Sequence, residues 1–483
     1  MDSDTDTDLD TWLDATTVLL ESIHKNDCQP HSIPIVPEEL GKWSKKEYEP
    51  KVVSIGHRFK GRKELLPMEE IKFRCMMHLL NRTASIFQNE ILKDCMRVIL
   101  TLDAAVRTSY GEQIDLDSYS LATIVLHGAC FLLELFISQS VEWNSKLQLE
   151  YHTLPPSPAA QLGNIELILS DLTLLENQIP FFLLHNVFAV VFPHLVLRDN
   201  SFSGKIYLSI TQDLALSLFG YSRDSSSISI PDPIDASHIL QLVHSFILNP
   251  QSHHGSCVID IEVNVNKQIE PKFCATRLLA AAGVTIVKTE DNSIIPKFSS
   301  RNGVLEVPPL HITQTMEATW RNFIAWELHT TRWKKSVGRD LFTVRALLYN
   351  DLICCASDVQ LLKNKGIIVD ELGMSNHHLM DLLRSITNGV DRALVDSTYW
   401  NMIHALNTYN ATNCVIGFPI IVWHYLSRFS EWLYGLNKFL RRGYNFAAAL
   451  ITLLTAIQTC YTILSYHYPK NNYFFFIQFM LFK

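Results

Sequence analysis

From Phe446 to Tyr468 the chain reads FAAALITLLTAIQTCYTILSYHY, and no Asp, Glu, Lys or Arg interrupts it. A helix needs about 20 mostly apolar residues to cross the hydrocarbon core of a bilayer, so this stretch is long enough. Tyr444, Tyr461, Tyr466 and Tyr468 lie towards its ends, where amphipathic rings favour the membrane interface. Pro469 stops the helix. Lys438, Arg441 and Arg442 precede the stretch and Lys470 follows it, so the more basic N-terminal flank is expected on the cytoplasmic side. The opening Met1-Asp2-Ser3-Asp4-Thr5-Asp6-Thr7-Asp8 agrees, being the reverse of the basic-then-apolar start of a signal peptide. The expected fold class is mainly α with some short β strands. An acidic, flexible segment is expected at residues 1–30 and a large helical cytosolic domain at 31–440. A single membrane-spanning helix follows at 445–468, then a short tail at 469–483. The apolar run at 473–482 is too short to span and is expected at the interface.

Composition narrows the function classes. The 483 residues carry a net charge of −8, and a negative chain gathers phosphate backbones poorly, so nucleic acid is not an expected partner. The 10 cysteines are scattered without a CxxC pair, which excludes a zinc ribbon or a thioredoxin-type motif and fits reduced thiols in a cytosolic domain. His253-His254 and His377-His378 lack companion ligands at metal spacing. There is no GxSxG elbow, P-loop or GxGxxG. No catalytic residue, cofactor or metal site is therefore expected, and the chain is read as a non-enzyme. The sequons Asn81-Arg82-Thr83 and Asn410-Ala411-Thr412 fall on the expected cytosolic side, where no glycan is added.

Periodicity organises the large domain. Pro67, followed by Glu69 and Glu70, opens a long helix expected over 67–109. A second is expected over 116–141, with the apolar run 129–137. The prolines at 155, 156 and 158 make a loop. Asp171 is placed to cap a helix from Leu172 that Pro180 interrupts before an apolar core stretch at 181–192. Loops are expected at 222–233 and 251–255, strands at 258–265, 284–287 and 304–307, and helices at 315–330, 341–362 and 377–388.

The sharpest candidate site is Asp171-Leu172-Thr173-Leu174-Leu175-Glu176-Asn177-Gln178-Ile179-Pro180-Phe181-Phe182. Here Glu176, Asn177 and Gln178 sit between apolar neighbours. A helix reaching Pro180 loses backbone hydrogen bonds, and such side chains can take up the freed groups, fixing a kink. A binding role for the same residues is the functional alternative. Arg321, Asn322 and Glu327 form a second candidate group, with Arg321 and Glu327 expected to flank a helix turn or to pair across the core.

The chain resembles the plant proteins that carry the domain of unknown function 247 (DUF247, or UPF0481-like). The block at 171–182 carries the resemblance most specifically. Other blocks follow in the family's order: IPIVP at 33–37, YEPKVVSIG at 48–56, LPMEEIK at 66–72, ATRL at 275–278 with AGV at 282–284, RNFIAWE at 321–327, and DVQLL at 358–362 with GII at 366–368. The resemblance implies a C-terminal anchor. It departs at two places. His57-Arg58-Phe59 follows Gly56 where the family has Pro, an aromatic residue and His after the glycine, and His127 precedes Gly128 where the family has Asp. The expectation is a membrane-anchored plant recognition or signalling protein that works through protein partners. Some grass members of the family look like pollen-side determinants of self-incompatibility, and the resemblance makes that role the narrower expectation for this chain. A membrane-bound hydrolase and a membrane-organising scaffold are the other classes.

Overall fold

A computed structural model describes residues 32–83, 88–146, 155–193, 203–223, 233–248, 270–289, 294–333 and 340–413, together with residue 452 and residues 454–459. Contacts divide the chain after Asn413 into two units.

The first unit is mainly helical with a few short strands. Its longer helices are α1 (Leu66–Asn81), α2 (Gln88–Thr101), α3 (Asp103–Ser109), α4 (Ser118–Gln139), α5 (Ile165–Leu172), α6 (Phe181–Val191), α7 (Ser203–Leu218), α8 (Ile239–Leu248), α9 (Ala275–Ala281), α10 (Met316–Trp333), α11 (Leu341–Leu352), α12 (Ala356–Asn364), α13 (Asn376–Ile386) and α14 (Ser397–Asn413). The strands are β1 (Thr285–Lys288), β2 (Lys297–Ser299), β3 (Val304–Val307), β4 (Leu310–Ile312) and β5 (Ile368–Asp370).

Helix α4 organises the first half. Asp117 accepts the amides of Tyr119 and Ser120, both at 3.0 Å, and so caps it. Every residue from 125 to 137 is buried. Among the described residues α4 alone is long and apolar enough to cross a membrane. In its most apolar stretch 83% of the residues are buried within the protein, as in the central helix of a folded domain. Helices α1, α2, α6 and α7 pack around it. Its one carboxylate, Glu134, is met by Arg82 through two 2.9 Å hydrogen bonds and by His78 Nδ1 at 2.9 Å. In the second half α10, α11, α12 and α13 pack on one another, and α8 bridges the halves by touching α7 and α10.

The strands serve as local braces. β3 pairs in parallel with β1 and antiparallel with β2, and β4 pairs in parallel with β5. The expected strands at 284–287 and 304–307 correspond to β1 and β3.

Three expectations are corrected. The single helix over 67–109 is three helices. The first ends at Asn81, where Arg82 turns into the core to reach Glu134, and Leu102 separates α2 from α3. The helix over 341–362 is two, because Asp358 accepts the amides of Cys354 and Cys355 and starts a new helix there. Asp171 does not cap a following helix. It lies in the last turn of α5, and residues 173–180 form a turn rather than a kinked helix, with Pro180 the cap of α6.

In the second unit, residue 452 and residues 454–459 are helical, with Leu454 58% and Ile457 55% exposed. The rest of the apolar stretch at 446–468, the tail at 469–483, the acidic segment at 1–30, the loops at 224–232 and 251–255 and the strand at 258–265 lie outside the described residues.

Candidate functional site

The turn at 173–180 is built on the segment that runs from Lys51 to Gly56. Three successive amides of that segment converge on Asp171. Lys51 donates to Oδ1 at 2.9 Å, and Val52 and Val53 donate to Oδ2 at 2.7 and 2.8 Å. Burial pushes the Asp171 carboxyl above its usual range, against the pull of these amides.

Asn177 completes the clasp. Its Oδ1 accepts the Ile55 amide at 2.8 Å, and its Nδ2 donates to the carbonyls of Val53 and Asp171 at 2.9 and 3.0 Å. The side-chain amide thus pairs with residues 53 and 55 as a neighbouring strand would. Lys72 donates to the Ser54 carbonyl at 2.9 Å from the opposite side. Two glycines let the backbones approach this closely. A Cβ at Gly56 would lie 2.7 Å from the Gln178 carbonyl oxygen, and one at Gly128 would lie 2.4 Å from that of Ile55.

Gln178 and Asn322 tie the turn to both halves of the fold. Gln178 Nε2 donates to the carbonyls of Leu172 and Leu174 at 2.7 and 2.8 Å, and its Oε1 accepts the Leu240 amide of α8 at 3.3 Å. From α10, Asn322 Oδ1 accepts the Leu175 amide at 2.9 Å, and Nδ2 donates to the Glu47 carbonyl at 2.9 Å. All four side chains, Asp171, Asn177, Gln178 and Asn322, are buried on backbone groups.

Glu176 does something different. Its side chain is 11% exposed and forms part of the wall of an open surface groove of about 780 Å³. Oε1 accepts the Val36 amide at 2.9 Å, and Oε2 lies 2.8 Å from Arg58 Nε. Arg58 also pairs with Glu112, which His57 meets through Nε2 at 3.1 Å. Two carboxylates thus share one guanidinium, and one of them, Glu112, also meets an imidazole. Burial pushes the Glu176 carboxyl up and the His57 imidazole down, so each is held towards its neutral form. Among the described residues lining the groove there is no Ser, Thr or Cys.

The second candidate group does not assemble. Arg321 and Glu327 lie on one helix, α10, and do not pair with each other. Arg321 bonds Glu317 one turn earlier at 2.9 Å and Ser385 of α13 at 3.1 Å. Glu327 caps α11, accepting the amides of Phe342 and Thr343 at 2.9 and 2.7 Å, and is met by His244 at 2.9 Å. Asp358 likewise acts as a cap. Although its carboxylate and the sulfurs of Cys274 and Cys354 lie within 4.8 Å of one another, its two oxygens accept the amides of Thr276, Cys354 and Cys355 and the Thr276 hydroxyl. That carboxylate is occupied by backbone and hydroxyl donors. Sequence reasoning named Glu176 but missed Arg58, Glu112 and His57, whose signal was the departure of residues 57–58 from the resembled pattern.

The sequence profile of DUF247, described as a plant protein of unknown function, matches residues 33–453. The chain belongs to the DUF247 family. A protein of Arabidopsis thaliana described as UPF0481 protein At3g47200 is similar, at 23% identity over 485 residues that cover 94% of this chain and 90% of the relative. No solved structure matches. The DUF247 match takes in the clasp, the groove and α10 together.

Proposed function

We propose that this DUF247 protein is a membrane-anchored recognition component that works through protein–protein contacts, with the groove beside Glu176 as a contact face. The carrying observation is the division of labour inside the block at 171–180. Its other polar side chains are occupied by backbone groups, whereas Glu176 faces solvent-accessible space with Arg58, Glu112 and His57. Charged side chains paired across an open concave surface suit selective docking, because a wrong partner leaves them unpaired.

Convergence of Glu176, Asn177, a His and a Ser in one pocket would favour the hydrolase reading. His57 is near, but Asn177 is buried on backbone groups, and the described residues of the groove lining include no Ser, Thr or Cys. Anchoring through residues 446–468 is supported by the uncharged run, whose described helical part exposes Leu454 and Ile457. A pollen-side role in self-incompatibility is the narrower form of the same reading and rests on the family resemblance.

Proximity labelling of the intact chain in its own tissue, beside a chain truncated before Phe446, tests both parts. The intact chain should sit in membranes with a reproducible set of protein neighbours, and the truncated chain should move to the soluble fraction. No reproducible neighbour would remove the recognition reading, and a truncated chain still held in membranes would remove the anchor.

A further inference from the structure

Cys274 and Cys354 come from distant parts of the chain and meet at one point. Cys274 precedes α9, and Cys354 lies in the break between α11 and α12. Their sulfurs lie within 4.8 Å of each other. The juxtaposition is built into the backbone. Asp358 accepts the Thr276 amide at 2.8 Å through one oxygen and the Cys354 amide at 2.9 Å through the other, so one carboxylate holds both segments in register. Cys274 is buried and Cys354 is partly exposed. A disulfide needs the sulfurs at about 2.05 Å, so the two side chains would rotate towards each other to close it.

We propose that Cys274 and Cys354 form a reversible disulfide when the protein meets hydrogen peroxide. The exposed thiol reacts first. The Cys354 sulfur attacks a peroxide oxygen, the O–O bond breaks, and the thiol proton leaves with the departing oxygen as water, giving a sulfenic acid on Cys354. The Cys274 sulfur then attacks that sulfur, the S–O bond breaks, and hydroxide leaves as a second water with the Cys274 proton. The two thiols are oxidised by two electrons and peroxide is reduced to two waters. A dithiol reverses the bond by exchange.

The other described thiols are set apart from this chemistry. Cys75, Cys95 and Cys130 are buried, and burial pushes the first two up to about 12 and the third well above its usual value, so little thiolate forms. The Cys355 sulfur is buried against Ser357 Oγ at 2.9 Å. The closed bond would tie the start of α9 to the α11–α12 junction, whatever the groove binds.

The test is to treat the full-length protein in membranes with hydrogen peroxide, block remaining thiols with N-ethylmaleimide, digest without reductant and read the peptides by mass spectrometry. The expected product joins the Cys274 and Cys354 peptides, is lighter by two hydrogens, and disappears after dithiothreitol. A bond between Cys354 and Cys355, or Cys354 advancing to sulfinic acid while Cys274 stays alkylatable, would overturn the proposal. Cys274→Ser supplies a second reading. Without its partner, Cys354 should accumulate sulfenic acid, trapped by dimedone at several times the wild-type level. Equal trapping in both proteins would also overturn it.

Discussion

Glu176 and Asn177 are neighbours in the chain and serve opposite sides of one turn. Asn177 faces inward and binds three backbone groups, while Glu176 faces the groove and shares Arg58 with Glu112. The inward face is an unexchangeable set of hydrogen bonds, since any loss leaves buried backbone groups unpaired. The groove face is an ion-pair set near water, where a partner's charges can substitute for internal ones. The polar block at 171–180 is therefore mostly scaffold, with one side chain, Glu176, turned to the groove.

That contrast can be broken most forcefully at Asn177. Asn177→Ala strands the Ile55 amide and the Val53 and Asp171 carbonyls in the interior, and should cost about 4 kcal/mol by denaturant titration. A loss below about 1 kcal/mol would mean that solvent or rearrangement replaces those bonds and that the inward face is no scaffold.

A smaller effect separates the two departures from the resembled sequence. Arg58 and His57 line the groove, whereas His127 packs elsewhere, with its ring 4.3 Å from that of Phe73. Its imidazole is pushed down to about 4, by burial first and then by the charges of Lys60 and Lys72. The folded chain keeps His127 neutral while the unfolded chain takes up a proton below about 6.5. Stability should therefore fall as the pH drops from about 6.5 towards 4, by about 2 kcal/mol in total. His127→Asn should flatten that part of the pH–stability curve, and an unchanged slope would assign the acid loss to other groups.

The smallest stability change is expected at Glu176, and it sharpens the comparison most. Glu176→Gln keeps an acceptor for the Val36 amide and leaves Arg58 its pairing with Glu112, so the cost should be about 1 kcal/mol or less. Under the recognition reading the same change should thin the set of labelled neighbours while the protein stays folded. If Glu176→Gln cost as much stability as Asn177→Ala is expected to, the two faces would not differ in kind.

Helix class and much of the helix placement were legible. The apolar run at 129–137 lies inside α4, and the 181–192 stretch is core, because periodic apolar side chains report burial directly. Breaks were less legible. Residues 67–109 read as continuous because no Pro or Gly interrupts them before Ser109, yet Arg82 leaves the helix to answer Glu134 on α4. The break before Asp358 left a local trace, an acid three residues after Cys355, but Cys is an uncommon cap.

By itself the sequence determined that the chain is mainly helical, that it belongs to DUF247, and that Asp171, Asn177, Gln178 and Asn322 are set apart from the apolar residues around them. Tertiary structure alone decided what those side chains meet. Asp171 takes amides from Lys51, Val52 and Val53, and Glu176 finds Arg58 and Glu112, all far away in the chain. Local periodicity encodes which face of an element is buried. It carries no information about which distant backbone will lie against that face, and the partners of a polar side chain are fixed only by that packing.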